Sequence, residues 1–363
     1  MTLQLYILRQ LAVSIGFALA GISVMVLPAI TIQAVYKLHG APLGVVLDYL
    51  PLVVVELVPY FLPVAFLLGV VATFGRLAAD NEWTAVRMAG IHPLRTFLPG
   101  MAIAVVFAFG THHLLTEVSP EWKFARRTAL RDAEKDAFRS LARSRKEFEI
   151  GNEFSFSADS RDPDGVFRNV IIIRRSDEEG EGARALLFAE RVALEFPEDE
   201  NDLIVYCQNV YLLKGDEYTF FELLYLPIRL DRLVQVRLKG SNRPKYMTNA
   251  EIRRRLDGDG PRDLKPDERV TYVYEIHRRR ALSITYLIFL LLGAPTGLFL
   301  RSGTQLAAFT SAVGYAFLYY VLSMRLGKEL VAIGVLGPVF SAWATNLLYL
   351  GAGLILMRRV LAR

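Results

Sequence analysis

The side chains able to do chemistry in this 363-residue chain are few and widely spaced. Glu56 is the one charge in an otherwise apolar stretch, residues 49–75. An ionised carboxylate there needs a cation, a cavity or a displaced protonation equilibrium, so Glu56 either ties neighbouring helices or lines a passage. Lys37 ends another apolar stretch, placed to snorkel to headgroups or to meet a phosphate. His112 and His113 are adjacent and point about 100° apart on a helix, too divergent to share a metal easily; interfacial polar roles are expected for both. The single Cys207 excludes an internal disulfide framework and a cysteine-cluster zinc site. No G-x-x-x-x-G-K-[ST] occurs, and Gly327-Lys328 is followed by Glu329, so ATP hydrolysis by the chain itself is not expected. H-E-x-x-H and paired intramembrane carboxylates are missing too, which leaves no metal centre, no cofactor site and no catalytic constellation to expect.

Recognition is the chemistry that remains, and the segment from Arg76 to Pro93 carries its clearest pattern. Asp80 is placed to cap a helix at about residues 78–90, closed by Gly90 ahead of Pro93. On that helix Ala79, Trp83, Val86 and Gly90 share a face, while Glu82 projects among Ala78, Ala85 and Ala89. A large aromatic and small residues beside one acid suit insertion into a groove of a partner protein. The other reading is an amphipathic helix lying in the membrane interface.

The elements that hold these residues follow from composition. The chain is 53% hydrophobic and 22% charged, with a mean hydropathy of +0.31, too apolar for an ordinary soluble domain. Most of the charge lies between Glu117 and Arg280, so two apolar flanks surround one polar insert. Residues 10–36, 96–116, 281–300, 302–324 and 330–357 are uncharged and long enough to cross a hydrocarbon core of about 30 Å. The stretch 49–75, with Pro51, Pro59 and Pro63, supplies a kinked sixth span. The first span is too long for the apolar core of a cleaved signal peptide.

In the short loops, one face carries Arg9, Arg76, Arg87, Arg95, Arg301, Arg358, Arg359 and Arg363, and the other Lys37, Arg325 and Lys328. Both termini are therefore expected in the cytoplasm and the insert outside. Lys123, Arg126, Arg127 and Arg278, Arg279 and Arg280 then crowd the outer side and ask for an anionic partner. The net charge of +5 and pI near 9.2 point to anionic headgroups rather than nucleic acid, because much of the basic excess flanks membrane segments.

Inside the insert the period changes to two. Residues 147–150, 154–156, 170–173, 185–196, 203–213 and 218–230 read as strands, six of an expected set of about seven, for a sandwich, jelly roll or open barrel. Asp162-Pro163-Asp164-Gly165, an acidic turn at 177–182, residues 197–202 and Lys214-Gly215-Asp216 separate them. Phe154, Phe156, Val205 and Tyr211 are expected in the strand core. Thr248 and Glu251 fit a capping box for a short surface helix with Ile252 and Leu256 inward. The expected division is 1–116 for the first three spans with the docking helix, 117–146 for a helical linker, 147–245 for the β domain, 246–280 for a surface helix and linker, and 281–363 for the last three spans.

Taken together, several stretches resemble the LptF/LptG (YjgP/YjgQ) family, permeases of the lipopolysaccharide exporter of Gram-negative bacteria. They are Gly75-Arg76-Leu77, Asn81-Glu82 and Met88-Ala89-Gly90-Ile91; Pro120 after the third span; Met247-Thr248 with Glu251-Ile252; Glu275-Ile276-His277-Arg278-Arg279; and Trp343 with Asn346. The order of three spans, insert and three spans is similar over essentially the whole length. Thr345 and Ser283 stand where that family often has proline.

The resemblance implies a polytopic α-helical protein of the inner membrane with a periplasmic jellyroll-like all-β domain between helices 3 and 4. It implies assembly with a second LptF/LptG-type permease, an LptB-type ATPase dimer holding the ATP and Mg, and an LptC-type membrane-anchored jellyroll protein. Glu82 matches the acid of the family's coupling helix, and Trp83, Val86 and Arg87 accompany it. Lys37, Arg325 and Lys328 become candidate contacts for lipid A phosphates, and Leu27, Ile30, Phe61, Phe66 and Tyr320 for acyl chains. The competing classes are an ABC-type permease or mechanotransmission subunit acting on a lipoprotein or peptide, and a membrane-anchored enzyme of envelope lipids.

Overall fold

A computed structural model describes residues 3–38, 43–144, 147–150, 154–174, 185–195, 202–214, 217–229, 243–258, 263–300 and 305–362. Among these, six helices are long and apolar enough to cross a membrane. The first three are α1 (Leu3–Lys37), α2 (Leu43–Ala79) and α4 (Pro93–His113), with a short α3 (Glu82–Met88) between the second and third. A π-helical turn, Leu114–Val118, carries α4 straight into α5 (Ser119–Ser144), so the expected linker prolongs the third span. After the sheet come α6 (Asn249–Leu256), α7 (Pro266–Phe299), α8 (Gln305–Val321), α9 (Gly327–Ala332) and α10 (Pro338–Ala362). The sixth span starts at Pro338 rather than at 330, because Gly334 adopts φ +69° and Pro338 can only open the next helix.

The chain divides into two compact units, one of residues 1–31, 51–124 and 241–363, the other of 32–50 and 125–240. In the first, α7 is the central helix, with Tyr286, Phe289 and Leu292 among its buried residues. Close approach depends on glycine. A Cβ on Gly297 would fall 2.6 Å from the Val71 carbonyl oxygen, and one on Gly69 would fall 2.5 Å from an Ile15 side-chain carbon. These spans touch backbone to backbone, and any larger residue forces them apart. Polar side chains tie α7 to α8 and α10. Tyr319 shares a hydrogen bond with Thr285 at 2.6 Å and donates to Asn346 Oδ1 at 2.7 Å, while Asn346 donates to the Ala281 carbonyl at 2.8 Å. The capping box of α6 is formed as expected, with Thr248 N–H donating to Glu251 Oε2 at 2.7 Å and Glu251 N–H to Thr248 Oγ1 at 3.3 Å.

In the second unit the described strands form one six-stranded antiparallel sheet in sequence order, with no crossover among them. They are β1 (Glu147–Ile150), β2 (Phe154–Arg161), β3 (Phe167–Arg174), β4 (Ala185–Glu195), β5 (Asp202–Lys214) and β6 (Glu217–Arg229). The Asp162 turn is present, with Gly165 at φ +86°; the expected turns at 177–182 and 215–216 lie outside the described residues, as does most of that at 197–202.

One row of residues interrupts the ladder from β2 to β6: Asp159, Asn169, Glu190, Asn209 and Glu222. Asn169 and Asn209 both sit at φ +51°, where asparagine is among the few side-chain-bearing residues tolerated. The left-handed step turns two consecutive residues outward and moves the inward phase by one. In β5 the buried set is Val205, Cys207 and Val210, so Tyr211 is 52% exposed. Its expected place in the core is therefore corrected: simple alternation from Val205 fails at Asn209. Phe156 and Val205 are buried as expected, and the Phe154 side chain lies outside the described residues.

Candidate functional site

Two clusters of polar side chains stand out, one at the break between α2 and α4 and one along the first half of α7. At the break, α2 ends at Ala79 and Asn81 adopts φ +59°. That left-handed residue redirects the backbone, so a single helix across 78–90 does not form. Ala78 is buried on α2, Asp80 lies in the turn, and the N-cap of α3 is Asn81 with no side-chain cap bond. The far end closes as a Schellman motif: Gly90 at φ +71°, Ile91 N–H donating to the Val86 carbonyl and Gly90 N–H to that of Arg87. His92 then caps α4, its Nδ1 accepting from Leu94 N–H at 3.2 Å, with Pro93 in the first helical position.

This geometry redistributes the four predicted docking residues. Trp83 packs its ring 5.9 Å from that of Phe97, which in turn meets Phe74 at 5.1 Å, so the indole anchors α3 to the helical core. Val86 is half-buried. Outward on α3 stand Thr84, Ala85, Arg87 and Met88, the last 84% exposed. Glu82 is held from within: the Tyr6 hydroxyl donates to its carboxylate, 2.8 Å from Oε1 and 3.0 Å from Oε2. Sequence spacing could not supply that partner, 76 residues away.

On α7, Glu275 answers the basic run that follows it. Arg278 donates through Nε and a terminal nitrogen to the two carboxylate oxygens at 2.8 and 2.7 Å, and Arg279 Nε donates to Oε1 at 3.2 Å. Arg279 is 2% exposed and also donates to Asn249 Oδ1 at 3.0 Å and to the carbonyls of Pro244 and Met247 at 2.8 and 2.9 Å. It therefore pins the start of α6 to α7. The anionic partner expected for Arg278 and Arg279 is thus found within the chain, at i−3 and i−4. Lys123 is buried, with Glu275 and Tyr60 within electrostatic reach. One carboxylate against Lys123, Arg278 and Arg279 leaves this cluster net positive. His112 Nδ1 lies 3.4 Å from Ser283 Oγ, and His277 Nδ1 accepts from the Trp343 indole at 3.4 Å, so both are used in helix packing.

The remaining predicted contacts scatter by role. Phe66 is fully buried, its ring 5.5 Å from Tyr286 and 6.2 Å from Phe107, which makes it core rather than an exposed acyl-chain contact. Ile30 is buried, Phe61 half-buried and Leu27 46% exposed. Tyr320 is half-buried and donates to the Tyr60 carbonyl at 2.7 Å, a tie between α8 and α2. Arg325, in the π-helical turn Leu322–Leu326, and Lys328 on α9 are exposed. Lys37 ends α1, and its side chain lies outside the described residues. Glu56 is half-buried on α2. Among the described residues, no group of three or more His, Cys, Asp and Glu side chains is arranged to hold a metal.

Compared with known proteins, the chain matches the family model described as "Lipopolysaccharide export system permease LptF/LptG" over residues 5–359. A search of curated proteins finds no match.

Proposed function

The chain belongs to the LptF/LptG family of lipopolysaccharide export permeases, and from that premise we propose that it drives lipopolysaccharide out of the periplasmic leaflet of the inner membrane with energy from a docked ATPase. The observation that carries this reading is the extent of the match, which runs through the six spans, α3 and the inserted sheet alike. The chain supplies no nucleotide site of its own; ATP and Mg belong to an LptB-type ATPase dimer, and a second LptF/LptG-type permease completes the cavity.

In this reading α3 is the docking element. Its outward Arg87 and Met88 and the free acceptor sites of Glu82 enter the ATPase groove, with Trp83 and Val86 holding the helix on the core. Closure of the ATPase pair on ATP moves α3, and the tightly packed α2 and α7 convey the movement as rigid bodies. Lipid A phosphates meet Lys37, Arg325 and Lys328, and the net positive cluster of Lys123, Arg278 and Arg279 adds attraction near the same leaflet. Leu27, Phe61 and Tyr320 are the predicted apolar residues left with surface for acyl chains. The lipid then passes to the sheet, whose β6 has only one neighbour among the described strands and can pair with the edge of an LptC-type domain.

The test is co-purification of tagged wild-type and Glu82→Arg protein from membranes, scoring the ATPase on a gel and lipid A by mass spectrometry. Wild type should retain both, and the charge reversal should lose the ATPase while keeping the lipid. Wild type that brings down neither lipopolysaccharide nor an ATPase overturns the transport mechanism.

A further inference from the structure

Glu82 faces two ways, and its inward contact has a consequence. α3 has no fully buried residue, so its attachment to the helical core rests on few side chains. The Trp83 ring supplies one and the hydrogen bond from Tyr6 another. Tyr6 belongs to α1, and α1 is gripped at that end. Ile7, Leu11 and Ile15 are buried there, Gly69 lies against Ile15, Gln4 Nε2 donates to the Arg95 carbonyl at 2.7 Å, and Thr73 Oγ1 donates to the Gln10 carbonyl at 3.5 Å. Between Ile15 and Ile30, both buried, the same helix turns Phe17, Val24 and Met25 outward, at 76%, 75% and 82% exposure. The first turns of α1 are thus tied to the segment that carries α3.

The chemistry at Glu82 allows both contacts at once. A carboxylate offers about four acceptor positions, and one phenolic proton takes one of them. A guanidinium or ammonium from a partner can occupy the rest while Tyr6 stays bound. We propose that Tyr6 is a positioning residue for export, and that its hydrogen bond to Glu82 is the link through which movement of α3 reaches α1. The proposal rests on the reading of α3 as the docking element. The link works by holding two helices in register through an ion–dipole contact that survives engagement of the partner.

Two substitutions separate linkage from docking in the full-length chain. Tyr6→Phe removes the hydroxyl and keeps the ring, which packs against the helical core. Glu82→Gln keeps an acceptor for Tyr6 and removes the charge offered to the partner. Spin labels on Phe17→Cys and Met88→Cys, both exposed positions, report the distance between α1 and α3 in nanodiscs; native Cys207 is buried. The Glu82→Gln chain should keep the narrow wild-type distance distribution while retaining less ATPase. The Tyr6→Phe chain should retain the ATPase, broaden the distribution and release about five- to tenfold less lipid per ATP hydrolysed. An unchanged distribution and unchanged lipid per ATP in Tyr6→Phe overturn the link. If no ATPase accompanies any of the chains, the docking reading fails separately, and the distances alone decide whether Tyr6 joins the two helices.

Discussion

The break before α3 and the row across the sheet use the same device with opposite results. At both places an asparagine takes a left-handed backbone, Asn81 at φ +59° and Asn169 and Asn209 at +51°. Between α2 and α3 the step ends one helix and begins another, because an α-helix closes its bonds within its own strand and cannot absorb a residue of the wrong hand. In the sheet the strands resume their pairing on either side, since each neighbour changes phase at the same row. Side chains mark the shared row: Asn209 Nδ2 donates to Glu190 Oε2 at 2.6 Å and Asn169 Nδ2 to Asp159 Oδ2 at 3.5 Å. A left-handed residue at a helix end frees a segment, whereas one repeated in β3 and β5, on either side of β4, stays inside a continuous sheet.

That contrast can be broken most sharply in the sheet. Asn209→Val places a β-branched residue where its backbone is strained, at a cost of about 1–3 kcal/mol, and removes the bond to Glu190. The neighbouring Cys207 is fully buried, so alkylation of its thiol reports opening of the sheet. Labelling should accelerate about tenfold or more in Asn209→Val and stay near wild type in Asn209→Gly, which keeps the left-handed backbone. Equal labelling of both variants would show that the backbone hand does not matter at this row.

A smaller effect is expected from Asn81→Val. The strain is similar, but the helices on either side have their own bonds, so the loss falls on α3 and spares the helical core. ATPase co-purification should fall several-fold with thermal unfolding of the chain shifted by about 1–2 °C or less, and Asn81→Gly should restore it. Global unfolding as large as that of Asn209→Val would mean that the two breaks are mechanically alike.

The smallest effect sharpens the sheet side alone. Burial pushes the Cys207 thiol from its ordinary 9.0 up to about 11. The folded sheet therefore holds the thiol proton more tightly than the unfolded chain does, and its contribution to stability is whole below pH 9 and is lost as pH rises through 11. Urea midpoints read from sheet circular dichroism should decline more steeply between those values in wild type than in Cys207→Ala. Parallel declines would assign the pH dependence to other groups.

Much of the architecture was legible residue by residue. The apolar stretches marked six spans, alternation located β4 to β6 to within a residue or two, and Thr248 with Glu251 announced their helix because every partner in a capping box lies within one turn. Glu275 was equally near Arg278 and Arg279, yet the run read as excess charge. Only burial of Arg279 among Asn249, Pro244 and Met247 makes it a structural tie. Asn209 was invisible for another reason: an outward polar residue in a strand looks the same in either backbone hand until its phase error reaches Tyr211. At the docking segment the residue types were legible and their directions were not, because a single left-handed step at Asn81 sent Trp83 toward the core.

The sequence alone determined what depends on neighbours within a few residues: hydropathy long enough to span a membrane, the period of each strand, the caps, and a family pattern carried by order and spacing. Tertiary structure decided the partnerships. Tyr6 with Glu82, Tyr319 with Asn346 and Gly297 with Val71 are far apart along the chain and meet because packed helices bring them together. Local rules specify elements through bonds that each element closes on itself. Which side chain answers which across two elements depends on rotation and close approach, and those are set by the packing of the whole core.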